Sequence, residues 1–262
     1  MLEAKGITKV FRTGFLGRQK VVAVDNVSMA VRKGEIVSLV GESGSGKTTL
    51  CRIILRLITP TSGAVFYDGR EVTRLRGKEL KWYWSKVHGV FQDPYAAFHP
   101  FYRVDRVLYQ VFNLLPPTSY EEKKRLVHEA LTSVGLRPEE VLGKFPHELS
   151  GGMRQRVAIA RCFILKPELI IADEPVSMLD ASTRMGIVRL FRDFRDLNNS
   201  SVVFVTHDLG LAYTVSDRIL IMYKGRIVEE GDPVEVMEHP NHPYTRRLRE
   251  DVPLMYRKWE GF

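Results

Sequence analysis

Cysteine is nearly absent: the 262 residues include two, Cys51 and Cys162. Both fall in apolar stretches that read as helices, which excludes a disulfide framework and predicts buried free thiols in a reducing compartment. Long hydrophobic runs are missing as well. The longest, such as Leu169 to Ala172 and Ile219 to Tyr223, suit buried strands and fall short of the roughly 18 residues a membrane-crossing helix needs. Met1-Leu2-Glu3-Ala4-Lys5 carries no apolar signal region, so export is not expected. Nor is charge of one sign concentrated anywhere. The net charge of +8 comes from basic residues scattered along the chain, and clusters such as Lys123-Lys124-Arg125 and Arg246-Arg247-x-Arg249 are short. A nucleic-acid protein would carry a longer basic stripe or a recognisable module, and neither is present. Repeats, low-complexity tracts and flexible linkers are also lacking.

What the chain does have is glycine in one telling place. Gly41-Glu42-Ser43-Gly44-Ser45-Gly46-Lys47-Thr48-Thr49 fits the phosphate-cradling pattern G-x-x-x-x-G-K-[ST]. Ile36 to Val40 before it reads as a buried strand. After it, Leu50, Ile53, Ile54 and Leu57 recur at helical spacing. Strand, glycine loop and helix together aim backbone N–H groups and a helix N-terminus at a polyphosphate. Lys47 then reaches the β- and γ-phosphates, and the Thr48 hydroxyl binds Mg²⁺.

Around this unit the pattern predicts an α/β protein. Leu2 to Val10 and Val21 to Val31 alternate as in an antiparallel sheet, and residues 63–69 read as a strand ending in an Asp-Gly turn. Residues 98–165 turn helical. Within them Leu126, Ala130, Leu131 and Val134 share a face that Gly135 terminates. Strands at 169–172 and 202–205 flank a helix at 182–197, whose expected buried stripe is Ile187, Leu190, Phe191, Phe194 and Leu197. Further strands are expected near 218–223 and 226–229, followed by a Pro-rich tail.

Three more features carry chemistry. The strand Leu169 to Ala172 ends in Asp173-Glu174, whose side chains point to different sides. Asp173 suits a Mg²⁺ shell, and Glu174 suits polarising an attacking water. Ser150-Gly151-Gly152 opens a helix at 153–165, a second place where a hydroxyl and helix N-terminal amides could meet an anion, or a plain serine cap. Lys81-Trp82-Tyr83-Trp84-Ser85-Lys86 interleaves aromatics with lysine and reads as a packing patch rather than a platform for bases.

The order of the phosphate loop, Gln92, Ser-Gly-Gly, Asp173-Glu174, Ser177-Met178-Leu179-Asp180 and Thr206-His207-Asp208 resembles that of the ATP-binding-cassette ATPases over nearly the whole chain. The resemblance implies an α/β ATPase with a parallel-sheet core, an antiparallel β subdomain and a helical subdomain around 98–160. It also implies a division into a cassette, 1–235, and a tail, 236–262. Residues 41–49 resemble the family's phosphate loop. Gln92 resembles the glutamine that touches Mg²⁺ and couples to the transport subunit. Ser150, Gly151 and Gly152, with Met153 in place of the commoner glutamine, resemble the signature that binds the γ-phosphate of ATP held by the opposite subunit of a head-to-tail dimer. Asp180 resembles the residue that meets that partner, and His207 the histidine that contacts the γ-phosphate. Phe11 resembles the aromatic that stacks on adenine, with Phe15 as a competitor.

Phe91-Gln92-Asp93-Pro94, Pro146 to Arg156 and the tail His239-Pro240-Asn241-His242-Pro243-Tyr244-Thr245 resemble the ATPases of dipeptide and oligopeptide importers. Some of these carry an iron–sulfur cluster in the tail, and without further cysteines none is expected here. His239 and His242 read as turn residues. The implied partners are transmembrane permease subunits, a second ATPase subunit and, indirectly, a solute-binding protein, but no nucleic acid. The implied place is the cytoplasmic face of the membrane. The related solutes of such importers include oligosaccharides. A cassette ATPase of nucleic-acid repair or translation is the alternative, although neither the long coiled coil of the former nor the duplicated cassette of the latter is present. Because every nucleotide motif lies before residue 236, the tail is expected to be separable from nucleotide binding.

Overall fold

The computed structural model describes residues 1–13, 19–92 and 98–252. Phe15, Asp93 and Pro94 therefore lie outside the described residues. In chain order come β1 (Leu2–Thr13), β2 (Gln19–Val31), β3 (Ile36–Val40), α1 (Lys47–Ile54), β4 (Ser62–Tyr67) and β5 (Arg70–Glu71). Next are α2 (Gly77–Lys86), β6 (Val87–Val90), α3 (Asp105–Tyr109), α4 (Tyr120–Ser133), α5 (Pro138–Val141) and α6 (Gly151–Leu165). The rest comprises β7 (Leu169–Asp173), α7 (Ala181–Asn198), β8 (Ser201–Thr206), α8 (Leu209–Val215), β9 (Arg218–Tyr223), β10 (Arg226–Gly231), α9 (Pro233–Glu238) and α10 (Pro243–Glu250). These elements form two compact units, one of Met1–Arg74 with Val203–Phe262, the other of Leu75–Val202.

The first unit holds an antiparallel sheet in the order β2-β1-β4-β5 and the neighbouring strands β10-β9-β3-β8, the last entering from the other unit. β3 pairs with β9 in parallel and is buried at every residue, the pattern of a strand covered on both faces. β9 returns antiparallel into β10. Val40, Leu209, Ala212, Ile219, Ile221, Val236, Tyr244 and Leu248 form one core cluster. Its last three members come from α9 and α10, two helices that the Pro-rich composition of the tail conceals. Each has proline in its first turn, where no N–H is needed, and each is capped by the residue before that proline, Asp232 and His242. His239 is the residue that ends α9. Both histidines are thus helix-terminus residues.

In the second unit β6 and β7 pair in parallel, Val87 opposite Leu169 through Val90 opposite Ala172. α4 is capped by Ser119, buries Val127, Ala130 and Leu131, and ends before Gly135, whose φ of 70° takes the chain out of the helix. α6 starts at Gly151, two residues before the sequence-based start. The aromatic run 82–84 lies on α2, where successive side chains diverge by about 100° and cannot form one stacked row. Tyr83 is fully buried there. Burial of Cys162 pushes its thiol up to about 12, and Cys51 is buried as well.

One expected core residue is misplaced. On α7 Ile187, Leu190, Phe191 and Phe194 are buried, but Leu197 is 76% exposed. Val188 is buried too, which shifts the centre of the stripe toward positions 191, 194 and 198. At about 100° per residue, Leu197 then falls on the rim of the last turn.

Candidate functional site

The first unit carries the phosphate loop. Two of its glycines are dictated by space. A Cβ on Gly41 would lie 2.2 Å from the Met222 carbonyl oxygen, and one on Gly46 would lie 2.2 Å from that of Ala23. Gly46 also has φ 108°, and it opens α1 without any side-chain cap. The N-cap residue therefore contributes no side chain to the first-turn N–H groups of α1, which point out of the helix start toward the loop. Ser45 Oγ is buried without a hydrogen-bond partner among the described residues. Lys47 is buried, and its Nζ donates to the carbonyls of Gly41 (2.6 Å) and Glu42 (2.8 Å). Its ammonium is therefore held over the loop. Glu42, Ser43 and Gly44 are exposed, whereas Thr48 and Thr49 in the first turn of α1 are half-buried.

Also in this unit, His207 follows β8, the neighbour of β3, and is exposed. Asp208 behind it caps α8, accepting from Leu211 N at 2.9 Å, while Thr206 Oγ1 accepts from Asp208 N at 3.0 Å. These bonds fix the backbone on either side of the histidine. Phe11 lies on β1, 38% exposed, with Lys9 Nζ 5.2 Å from its ring centroid. An exposed aromatic on a strand is available for stacking.

The second unit carries the remaining candidates. Asp173 ends β7 and is buried. Glu174 follows in the left-handed region at φ 46°, and its carbonyl accepts from Ser177 N (3.3 Å) and Ser177 Oγ (3.1 Å). Gln92 lies two residues past β6. Because β6 and β7 are parallel, Gln92 and Asp173-Glu174 leave the same end of the pair. Gln92 also shares a cavity of about 190 Å³ with Gly151, Arg154, Gln155, Pro175, Met178 and Leu179. The structure thus brings the glutamine, the signature and the segment before Asp180 around one space.

Ser150 caps α6, its Oγ accepting from Met153 N at 3.2 Å. That is the plain cap, and it leaves the hydroxyl proton free to be donated outward. Gly152 follows in the same first turn. Asp180 caps α7 in the same way, accepting from Thr183 N (2.9 Å) and Thr183 Oγ1 (3.1 Å). Arg154 has a role that its place in the motif does not announce. It is buried and donates to the carbonyls of Pro146 (2.8 Å) and Leu149 (2.7 Å), bracing the approach to the signature. Among the described residues no group of three or more His, Cys, Asp or Glu side chains could hold a metal alone. Thr48 in the first unit, and Asp173 and Gln92 in the second, each carry an oxygen donor of the hard kind that Mg²⁺ prefers.

Residues 24–177 match the ABC transporter family. The chain belongs to that family. Along 97% of its length it is 39% identical to the oligopeptide transport ATP-binding protein AppF of Bacillus subtilis, covering 78% of that protein. It is 40% identical to the dipeptide transport ATP-binding protein DppF of Lactococcus lactis subsp. cremoris, with 97% and 81% covered. Among solved structures it resembles the dimeric post-hydrolysis state of the ATP-binding cassette MJ0796 bound to ADP and Pi. The TM-score is 0.80 at 33% identity, covering 89% of this chain and 99% of that one. CbiO1 of Clostridium perfringens, at 24% identity, a TM-score of 0.76 and coverage of 97% and 96%, shares the fold. The protein is an ABC ATPase with the family's α/β architecture of parallel and antiparallel sheets. Among the described residues no helix is long and apolar enough to cross a membrane.

Proposed function

We propose that this ABC ATPase powers import of dipeptides or oligopeptides, binding ATP on the loop 41–49 and hydrolysing it between two ATPase subunits. The observation that carries the reading is the construction of the loop: a helix that opens without a capping side chain, beneath a buried lysine held by two loop carbonyls. Lys47 and the amides of Gly44 to Thr49 bind the phosphates, and Phe11 stacks on the adenine. Thr48, Asp173 and Gln92 hold Mg²⁺, which when bound neutralises charge on the phosphate oxygens. Glu174 orients and deprotonates the attacking water, and His207 contacts the γ-phosphate. Ser150, Gly151 and Gly152 of one subunit close on the γ-phosphate of the ATP held by the other, with Asp180 facing that partner. The cassette 1–235 carries this chemistry, and the tail 236–262 belongs to the peptide-importer type.

The names of AppF and DppF support peptides as the solute, and the dimeric MJ0796 supports a paired assembly. Such an ATPase docks on transmembrane permease subunits at the cytoplasmic face, with Gln92 at the coupling point, and receives solute indirectly from a binding protein. The test is co-purification from membranes followed by reconstitution with the captured permease. ATP hydrolysis stimulated by peptide-loaded binding protein is expected, and a protein recovered without permease subunits would overturn the assignment to import.

A further inference from the structure

The helix α10 is fastened to the phosphate loop through a tyrosine hydroxyl. Tyr244, on α10, is 3% exposed, and its hydroxyl oxygen accepts from Glu42 N at 2.7 Å. Glu42 N–H and Gly41 C=O are the two ends of one planar peptide group, so turning one end turns the other. The Gly41 carbonyl is the one that accepts from Lys47 Nζ at 2.6 Å. Tyrosine and lysine thus grip the same peptide plane from opposite ends.

The tyrosine is itself held firmly. Its ring stacks on Tyr223, centroids 4.2 Å apart and planes 29° from parallel. The Glu229 carboxylate on β10 accepts from Asn241 N (2.8 Å), His242 N (2.9 Å) and Thr245 Oγ1, pinning the start of α10. Burial alone would push Glu229 up, yet these bonds hold it below the ordinary carboxylate range. Burial also pushes the Tyr244 phenol above its ordinary value, so the hydroxyl stays neutral.

We propose that Tyr244 is a positioning residue for nucleotide binding: it fixes the Gly41–Glu42 peptide plane, and through it the place of Lys47, so that the segment from Glu229 to Leu248 is coupled to nucleotide affinity. This rests on the reading of the loop as an ATP site. It stands against the expectation that the tail is separable from that site, and the same binding measurements decide between the two. A partner that pulled on α10 would loosen the grip on the β-phosphate without touching the nucleotide.

The test is binding of ATP, ADP and AMP to the full chain, by calorimetry and competition, for wild type and Tyr244→Phe. Removing the hydroxyl while keeping the ring should weaken ATP and ADP by about two- to tenfold, the range of one lost hydrogen bond. AMP, which has no β-phosphate for Lys47 to meet, should bind as before, and the melting temperature should hold. Leu131→Ala, which opens a cavity beside α4 in the other unit and leaves α10 intact, should lower the melting temperature and spare affinity. Equal weakening for all three nucleotides, or no change in any, would overturn the proposal. Should Tyr244→Phe fold poorly, Glu229→Gln loosens α10 from outside and carries the same nucleotide-dependent expectation. A wild-type chain that binds no ATP would sink the ATP reading instead, which is a different result.

Discussion

Glu174 occupies a backbone conformation that costs a side-chain-bearing residue roughly 1–2 kcal/mol, and two hydrogen bonds from Ser177 hold it there. Those bonds go to its backbone carbonyl, which glutamine keeps, so Glu174→Gln should leave the local structure intact. Phosphate release should fall by ~10²–10⁴-fold while calorimetric ATP affinity persists. Turnover at the wild-type rate would remove Glu174 from the role of base. Lys47→Ala should act on the opposite quantity. The charge-assisted contact to phosphate disappears, and ATP affinity should fall steeply in the same titration, with the circular dichroism spectrum unchanged. Both residues stand out as candidates in the sequence because loop and strand-end motifs depend on short spacings that any reader can count. Tyr244 does not, because its partner Glu42 lies 202 positions away and no local spacing links them. Leu197 misled for a related reason: helical periodicity names a face but not where the core beneath it stops.

At the scale of elements, β6 carries an unusual burden. His88 is buried in it, and Nε2 has no hydrogen-bond partner among the described residues. Burial, with Arg161 adding to it, lowers the imidazole to about 3 from an ordinary 6.5. Between those values the unfolded chain binds the proton and the folded chain does not, so stability falls as pH drops below about 6.5. From pH 6.5 to 5 the loss attributable to this group should approach about 2 kcal/mol. Urea titrations across that range should show the slope in wild type and lose it in His88→Asn; an unchanged slope would mean other groups cause it. The strands themselves were legible, because continuous apolar runs in a parallel sheet read plainly. α2, α9 and α10 were not read as helices. Aromatic and proline-rich composition masked them, although proline in the first turn is a helix start as much as a turn signal.

For the whole molecule, the proposed sharing of each ATP between subunits makes a sharp expectation. Lys47→Ala and Ser150→Arg should each be inactive alone. Mixed, they form dimers in which one site holds both lesions and the other none, so activity should partly return. Analytical ultracentrifugation with ATP would reveal whether mixed dimers form, and inactive mixed dimers would contradict a shared site. The division of the chain has a different consequence, for the order in which the protein is made. Leu75–Val202 is one uninterrupted stretch, able to collapse while the ribosome is still at work. The unit with the phosphate loop is assembled from both sides of that stretch, and its core includes Leu248. A nascent chain therefore carries its loop from residue 41 with no floor beneath it until residues 203–248 have been made. Stalled chains released before α10 emerges should fail to retain nucleotide, so the cell gains no ATP-binding activity from an unfinished copy.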